Sequence, residues 1–159
     1  MSLRFTVKLT LTLILLFVVY FNVAALIDEN RLGFCINTSE SLPQKLFVRW
    51  RSHAKPERGV YVSFFHPMTS EKLAKQVVGI PGDTIQVHAR KVLVNGQSFG
   101  TCLEKSPRSG KLYTPIESGV IPEGFVFVHA PHIESFDSRY REFGLVSIAS
   151  LREVLCPVF

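Results

Sequence analysis

Residues 75–99 decide the fold class, and their sequence is KQVVGIPGDTIQVHARKVLVNGQSF. Three short runs in this stretch are rich in β-branched residues, which favour strands. The runs occupy 76–80, 84–88 and 91–94. Pro81-Gly82-Asp83 favours a tight turn after the first run. Asn95-Gly96 favours a two-residue hairpin after the third run, because both positions of that turn need positive φ. The stretch therefore predicts strands joined by short turns.

The flanking sequence adds further strands and little helix. Residues 60–65 and 124–129 have the same β-branched and aromatic character. Residues 69–74 could form one or two helical turns capped by Thr69, and residues 147–155 could form a closing helix. The Pro- and Gly-containing stretch 105–119 is typical of a surface loop. The sequence thus predicts a mostly β domain.

The N-terminal segment is typical of a membrane anchor. Residues 9–27 carry no charged side chain, and a helix of this length would be about 28 Å long, enough to cross a bilayer core. Arg4 and Lys8 precede the segment, whereas Asp28 and Glu29 follow it. Because basic residues stay on the cytoplasmic side, we expect the rest of the chain to lie outside the membrane.

Small residues near the end of this segment leave a second reading open. Residues 23–25 would suit a cleavage site, so the segment could instead be a removed signal peptide. The apolar run is long for a signal sequence, which favours retention. We therefore divide the chain into an anchor, residues 1–27, and an exported domain, residues 28–159.

Length and charge restrict the class of the exported domain. The chain has 159 residues, which suits one domain and one membrane segment. Its net charge is +5, but the basic residues are scattered and form no helical basic stripe, so nucleic acid is not an expected partner.

Cys35, Cys102 and Cys156 are compatible with one disulfide and one free thiol. Sequence does not give the connectivity; a Cys102–Cys156 bond is our preferred pairing.

Motifs of common hydrolases and metalloenzymes are absent from the sequence. It contains no Gly-x-Ser-x-Gly, His-Glu-x-x-His or Gly-rich phosphate loop. A Ser-x-x-Lys match at 52–55 is best explained by chance, because Pro56 follows it at once and no Lys-Thr-Gly comes later. His129 and His132 lack a convincing third ligand nearby, so we expect neither a metal nor a cofactor. A dyad of Cys35 with a histidine is conceivable, but no feature orients a histidine toward that thiol.

Three other segments indicate a function only when they are considered together. They are 37–47 (NTSESLPQKLF), 75–83 (KQVVGIPGD) and 135–140 (SFDSRY). Taken singly, they would be a linker after the membrane segment, a strand ending in a turn, and a polar loop. Their order behind one apolar segment, with Arg58-Gly59 between the first two, resembles the signal peptidase I clan of membrane-anchored Ser/Lys proteases. The resemblance is greatest to the TraF-type conjugative-transfer branch of that clan.

This resemblance implies a fold and two reacting residues. The expected fold is a small β-barrel-like catalytic domain with one N-terminal transmembrane helix. Ser41 matches the nucleophile and Lys75 matches the general base of the family. A lysine can take the proton of a serine only if its pKa falls from about 10.4 toward the working pH, and burial has that effect. We therefore expect Lys75 to be buried.

The same resemblance assigns supporting residues. Ser39 matches a side-chain hydroxyl that stabilises the oxyanion together with a backbone N–H group. Ser135 matches the serine that hydrogen-bonds the lysine and orients it. Asp137 and Arg139 match a supporting ion pair, although such a pair in a loop is commonly scaffolding alone.

Departures from the family pattern are small. Leu42 stands where methionine is more usual, and Gln76 stands where arginine is common; neither change removes a reacting group. The interval from Lys75 to Ser135 is too short for the large extra β-domain of some general leader peptidases, which favours a dedicated substrate.

The sequence therefore predicts a serine endopeptidase in a bacterial inner membrane, with its catalytic domain in the periplasm. Its substrate would be a membrane-held peptide, by resemblance a conjugative pilin precursor, which the enzyme would hydrolyse or cyclise; other components of a conjugative secretion system are possible partners. Apolar segments 46–50 and 60–65 could rest on the lipid bilayer. Two alternatives stay open: a general leader peptidase for exported preproteins, and a non-catalytic anchored β-domain of a secretion assembly.

Overall fold

The computed structural model describes residues 3–28, 32–50, 56–66, 70–107 and 109–158. The Ser-x-x-Lys match at 52–55 and the helix cap expected at Thr69 lie outside these residues. The elements are, in chain order, α1 (Leu3–Asp28), β1 (Leu32–Ile36), β2 (Leu46–Trp50), β3 (Tyr61–Phe65), β4 (Lys72–Gly79), β5 (Thr84–His88), β6 (Lys91–Val94), β7 (Gln97–Thr101), β8 (Gly119–Val120), β9 (Phe125–His129), β10 (Val146–Ser147) and β11 (Leu151–Pro157). A 3₁₀ turn at Ile148–Ser150 precedes β11.

Helix α1 is the apolar helix that the sequence predicts. Its segment Val7–Ala25 has a mean hydropathy of 2.1, and none of it is buried against the rest of the chain. By length and composition this segment is able to cross a membrane. Three residues separate the end of α1 from the start of β1.

The β domain consists of two antiparallel sheets. The larger has seven strands in the order β1-β2-β11-β3-β4-β9-β10, and the smaller has four in the order β7-β6-β5-β8. Strands β3, β4, β5, β6 and β9 coincide with the five runs that the sequence marks as strands. The mostly β fold is confirmed.

The turns within residues 75–99 also form as predicted. Asn95 and Gly96 have φ values of 49° and 79°, and they join β6 to β7. Gly82 has a φ of 88° in the turn between β4 and β5. The Asp83 carboxylate closes that turn by accepting hydrogen bonds from the Ile80 N–H at 2.8 Å, from Asn95 Nδ2 at 2.8 Å and from the Arg58 guanidinium.

Both helices expected in the β domain are wrong. Residues 147–155 contain one 3₁₀ turn and then strand β11, whose Glu153 and Leu155 are buried while Arg152 is exposed. This alternation fits a strand, and β11 is held between β2 and β3, so pairing on both sides outweighs the helical propensity of the segment. Residues 72–74 likewise belong to β4, where they pair with β3.

Two hydrophobic clusters hold the domain together. The larger contains Val77, Val94, Ile121 and Phe127 and joins the two sheets. Gly79 lies at this junction, where a Cβ atom would come within 2.6 Å of Ile121 Cδ1. The smaller cluster contains Leu42, Phe47, Ala130 and Leu155.

The preferred Cys102–Cys156 disulfide is wrong, because all three cysteines are free thiols in the structure. Cys102 is buried and its Sγ donates a hydrogen bond to the Arg139 carbonyl at 3.2 Å, whereas Cys156 is exposed on β11. The two thiols therefore lie in different environments. Burial also raises the pKa of the Cys102 thiol to about 11, which keeps it protonated and unreactive.

Candidate active site

Ser41 lies in the loop that joins β1 to β2, and the Asn37 side chain organises that loop. Asn37 Nδ2 donates to the carbonyl oxygens of Leu42 at 3.1 Å and Gln44 at 2.9 Å. Asn37 Oδ1 accepts hydrogen bonds from the Ser39 N–H at 3.0 Å and the Ser39 hydroxyl at 2.8 Å. Leu42 is completely buried in the smaller hydrophobic cluster. The neighbour of Ser41 is therefore anchored in the core, while Ser41 itself is half-buried.

Lys75 lies in the middle of β4 and is buried, with 3% of its surface exposed. Its Nζ donates a hydrogen bond to Ser135 Oγ at 2.6 Å. Burial lowers the pKa of the Lys75 amine to about 8, because desolvation disfavours the ammonium form. The burial expected from the sequence is present, and a substantial fraction of the amine is neutral near pH 8.

Ser135, Asp137 and Arg139 form a connected buried group. Arg139 Nε donates to Asp137 Oδ1 at 2.8 Å, and Arg139 Nη2 donates both to Asp137 Oδ2 at 3.0 Å and to the Ser135 carbonyl at 2.9 Å. Asp137 is fully buried, but the hydrogen bonds from His129 and Arg139 hold the pKa of its carboxyl below the usual value in spite of desolvation. The Arg139–Asp137 pair therefore holds the backbone of the residue that contacts Lys75.

Strand β9 fixes the position of this group. The Val128 N–H donates to Ser138 Oγ at 3.1 Å, and the Ser138 N–H donates to the Val128 carbonyl at 3.1 Å. The Ala130 N–H donates to Asp137 Oδ2 at 3.1 Å. Because β9 also pairs with β4, the strand that carries Lys75 and the loop that carries Ser135 share one support.

Two cavities meet at Ser41 and Lys75. The larger has a volume of about 600 Å³ and the smaller about 230 Å³, and both are lined by Ser39, Ser41 and Lys75. Within the described part of the chain, no hydrogen bond joins Ser41 to Lys75, whose Nζ is bonded to Ser135. The structure thus brings the hydroxyl and the amine to the same cavities, with the amine held by Ser135.

Ser39 is also at the cavities, but its hydroxyl donates to Asn37 Oδ1. That hydroxyl has to rotate away from Asn37 before it can donate to an oxyanion. All six residues selected from the sequence are therefore placed around one site, and Ser39 is the one whose hydroxyl points to another partner.

Several cavity residues carry no signal that sequence reasoning could use. The larger cavity is also lined by His66, Glu71, Tyr113, His132 and Phe136. Of these five, only Phe136 lies in a segment selected from the sequence, 135–140, and the other four belong to no motif. Sequence reasoning also missed the contact of His129 with Asp137, in which the His129 Nδ1 atom lies 3.1 Å from Asp137 Oδ2.

Among the described residues, no group of three or more His, Cys, Asp or Glu side chains is placed to hold a metal ion.

Comparison with known proteins gives the class and then the family. A profile described as "Signal peptidase, peptidase S26" matches residues 4–154, a range that includes nearly all of α1, both sheets as far as the middle of β11, and all six candidate residues. The class of protein is therefore a peptidase. The chain belongs to the signal peptidase S26 family.

Curated relatives cover part of the chain. It is 30% identical over 102 residues to the conjugal transfer protein TraF of Agrobacterium fabrum strain C58, which covers 64% of this chain and 57% of the relative. It is 32% identical over 88 residues to TraF of Agrobacterium tumefaciens strain 15955, covering 55% of this chain and 48% of the relative. The chain thus spans about half the length of the curated relatives it matches.

A solved structure of a signal peptidase I from Enterococcus faecalis V583 is also similar. It shares 28% sequence identity with the chain, and the match covers 65% of this chain and 98% of that one, with a TM-score of 0.43.

Proposed function

We propose that the protein is a membrane-bound serine endopeptidase that uses Ser41 as nucleophile and Lys75 as general base. One observation supports this most strongly: a buried lysine amine, hydrogen-bonded to Ser135, lines the same cavities as the Ser41 hydroxyl. Membership of the signal peptidase S26 family supports the reaction class.

In the first step, neutral Lys75 accepts the Ser41 hydroxyl proton as Oγ attacks the carbonyl carbon of the substrate peptide bond. The backbone N–H of Ser41, with the Ser39 hydroxyl turned from Asn37, stabilises the negative oxygen of the tetrahedral intermediate. The protonated Lys75 then gives its proton to the leaving amine, and an acyl ester on Ser41 remains.

The supporting group keeps the amine in position for this transfer. Ser135 Oγ accepts a hydrogen bond from Lys75 Nζ, which leaves the nitrogen lone pair directed elsewhere. Arg139 holds the Ser135 carbonyl, and Asp137 holds Arg139. Asp137 favours the charged form of Lys75 whereas Arg139 disfavours it, so the pair has opposing effects on the Lys75 pKa. We assign all three residues to positioning.

The relatives named for conjugal transfer support a substrate from a conjugation system. We propose a pilin precursor that is held in the membrane and presents an extended segment to the cavities. The acyl ester can then be released by water, which gives a linear product, or by the substrate's own amino group, which gives a cyclic product.

The bilayer is a further proposed partner. Helix α1 ends at Asp28 and β1 begins at Leu32, so the start of β1 is within about 14 Å of the helix end. Phe34 and Ile36 on β1 are 74% and 73% exposed, and Trp50 on β2 is 46% exposed. We therefore propose that α1 keeps its N-terminus cytoplasmic and that this exposed apolar edge rests on the periplasmic leaflet.

Of the segment 60–65, Val62, Ser63 and Phe64 are buried and Phe65 is the exposed aromatic residue, at 48%. Most of this segment therefore contributes to the core, and its proposed lipid contact narrows to Phe65.

Two variants of the full chain, Ser41→Ala and Lys75→Ala, test the peptidase directly. Co-expression with a pilin precursor should show processing reduced by more than about 10³-fold in each, as expected when a nucleophile or its base is removed. Ser98→Ala and Lys111→Ala change exposed residues of the same types and should process normally. Normal processing by folded, membrane-inserted Ser41→Ala protein would reject the proposal and favour a non-catalytic anchored domain.

The same expression system separates the substrate classes and the products. Cleavage of several ordinary preproteins as efficiently as the pilin precursor would favour a general leader peptidase. Mass spectrometry of the processed pilin distinguishes the two release steps, because a cyclic product is lighter than the linear one by one water molecule.

A further inference from the structure

His129 contacts the buried group that holds Lys75, although no sequence motif includes it. Its Nδ1 lies 3.1 Å from Asp137 Oδ2, and its side chain is 12% exposed while that of Asp137 is fully buried. We propose that His129 is a positioning residue of the peptidase: together with Arg139 it fixes the Asp137 carboxylate, and so it keeps Ser135 and Lys75 in position. This inference rests on the proposed function.

A continuous series of contacts links His129 to the amine. His129 bonds Asp137, Asp137 bonds Arg139, Arg139 Nη2 bonds the Ser135 carbonyl, and Ser135 Oγ bonds Lys75 Nζ. Each of these bonds is between 2.6 and 3.1 Å. A displacement of Asp137 would therefore reach Lys75 through one arginine and one serine.

The chemistry of Asp137 defines what His129 contributes. From the described residues, the two carboxylate oxygens accept bonds from the Ala130 N–H, from the Arg139 N–H, Nε and Nη2, and from His129. An ionised carboxylate only accepts hydrogen bonds, so the His129 ring donates from Nδ1. Oδ2 therefore accepts three hydrogen bonds, from the Ala130 N–H, from Arg139 and from His129. Removing the His129 ring would leave two of them.

His129 has a neighbour on each of the two sheets. Phe99 on β7 meets the His129 ring edge to face, with 5.3 Å between ring centroids. Gln76 on β4 is the register partner of His129 and is adjacent in sequence to Lys75. The charged side chains linked to His129 by these contacts are those of Asp137, Arg139 and Lys75. His129 is thus held by both sheets at the end of the strand that supports the site.

Loss of the His129 donor should have a specific electrostatic effect. Asp137 favours the ammonium form of Lys75. With one donor fewer, more negative charge remains on the carboxylate, so the pKa of Lys75 should rise and a smaller fraction of the amine should be neutral at a given pH. A change in simple packing would not alter the pH dependence in this way.

The test compares three variants of the full chain in proteoliposomes with a synthetic precursor peptide. In His129→Asn, the amide Nδ2 can donate from nearly the position of the ring Nδ1, and in His129→Gln the amide nitrogen lies near Nε2 instead. His129→Leu removes the donor and keeps an apolar side chain. Initial rates give kcat, KM and the pH dependence of kcat/KM, and thermal unfolding checks the fold.

We expect His129→Asn to keep kcat within about threefold of the wild type. His129→Gln and His129→Leu should lower kcat by about tenfold with KM nearly unchanged, as expected for one hydrogen bond to a charged group. In these two variants, the apparent pKa seen in the pH profile of kcat/KM should also increase by about half a pH unit. If His129→Leu does not fold, the Asn and Gln variants provide the same comparison.

Two results would overturn the inference: equal kcat and pH dependence in all folded variants, or equal losses in the Asn and Gln variants. A Ser41→Ala control separates this failure from failure of the peptidase itself. If Ser41→Ala is inactive while His129→Leu behaves as wild type, the peptidase assignment stands and His129 has no positioning role. If Ser41→Ala is active, both proposals fail.

Discussion

At the scale of single residues, the site depends on one amine that the fold withdraws from water. Val77 lies on β4 with Lys75, and Val62, the register partner of Lys75, lies on β3; both belong to the larger hydrophobic cluster. The energetic cost of burying an ammonium is what lowers the Lys75 pKa to about 8. Lys75 is therefore already partly neutral in the absence of substrate.

This pKa predicts the pH dependence of cleavage. A general base is active only when neutral, so with Lys75 in the proposed role kcat/KM should fall about tenfold per pH unit below pH 8 and level off above it. The measurement is the initial cleavage rate of a precursor peptide by the full chain between pH 6 and 10. An amine with its ordinary pKa of 10.5 would give a rate that is still rising at pH 9.5. A rate independent of pH between 6 and 8 would contradict the role of Lys75.

Sequence identified some site residues and not others for a physical reason. Ser41, Lys75 and Ser135 belong to short segments whose spacing is visible along the chain. The contact of His129 with Asp137 is made by the loop that follows β9, and no motif of the sequence pairs these two residues. The hydroxyl direction of Ser39 was also unpredictable, because it depends on the Asn37 side chain that organises the loop.

At the scale of elements, the turns of the β domain were easier to predict than its short helices. Asn95-Gly96 and Pro81-Gly82 restrict the backbone locally, so their conformations follow from residue type. Residues 147–155 have no such restriction, and their conformation is decided by pairing with β2 and β3, which lie about a hundred residues earlier. Local propensity does not contain that information.

The junction of the two sheets at Gly79 gives a stability prediction. Gly79→Ala would place a Cβ atom 2.6 Å from Ile121 Cδ1 and 2.9 Å from Phe127 Cβ. Because both neighbours are buried, the sheets must move apart, and we expect a loss of about 1–3 kcal/mol in the free energy of unfolding.

Thermal unfolding of the full chain in detergent checks this prediction, with Gly119→Ala as the matched control. A Cβ atom at Gly119 would meet open space among the described residues, so the control should unfold within a degree or two of the wild type. Equal unfolding temperatures for the two variants would show that the sheets adapt to the added methyl group.

At the scale of the whole molecule, the membrane contact that we propose depends on the apolar edge near α1. Phe34 and Ile36 pair with Val48 and Leu46, so these four side chains share one face of the sheet. Trp50 lies two residues beyond Val48 and extends the same face, because alternate residues of a strand point to the same side.

Trp50 is the only tryptophan in the sequence, so its fluorescence reports on this face without a label. In proteoliposomes we expect brominated lipids to quench Trp50 and aqueous iodide to quench it weakly. The double variant Phe34→Ser/Ile36→Ser should weaken the contact of this edge with lipid, so iodide quenching of Trp50 should at least double. Leu112→Ser, in an exposed loop between β7 and β8, removes similar apolar area and should leave the quenching unchanged. Strong iodide quenching in the wild type would place the edge in water.

The position of β11 has a consequence for biogenesis. It follows every other strand in the sequence, yet it lies between β2 and β3 and forms the connection between the β1–β2 hairpin and the remaining sheet. The β1–β2 hairpin is synthesised early, but it can pair with the rest of the larger sheet only when residues 151–157 are available. We therefore expect the cavities between Ser41 and Lys75 to be completed late in folding, after the last strand has joined the sheet.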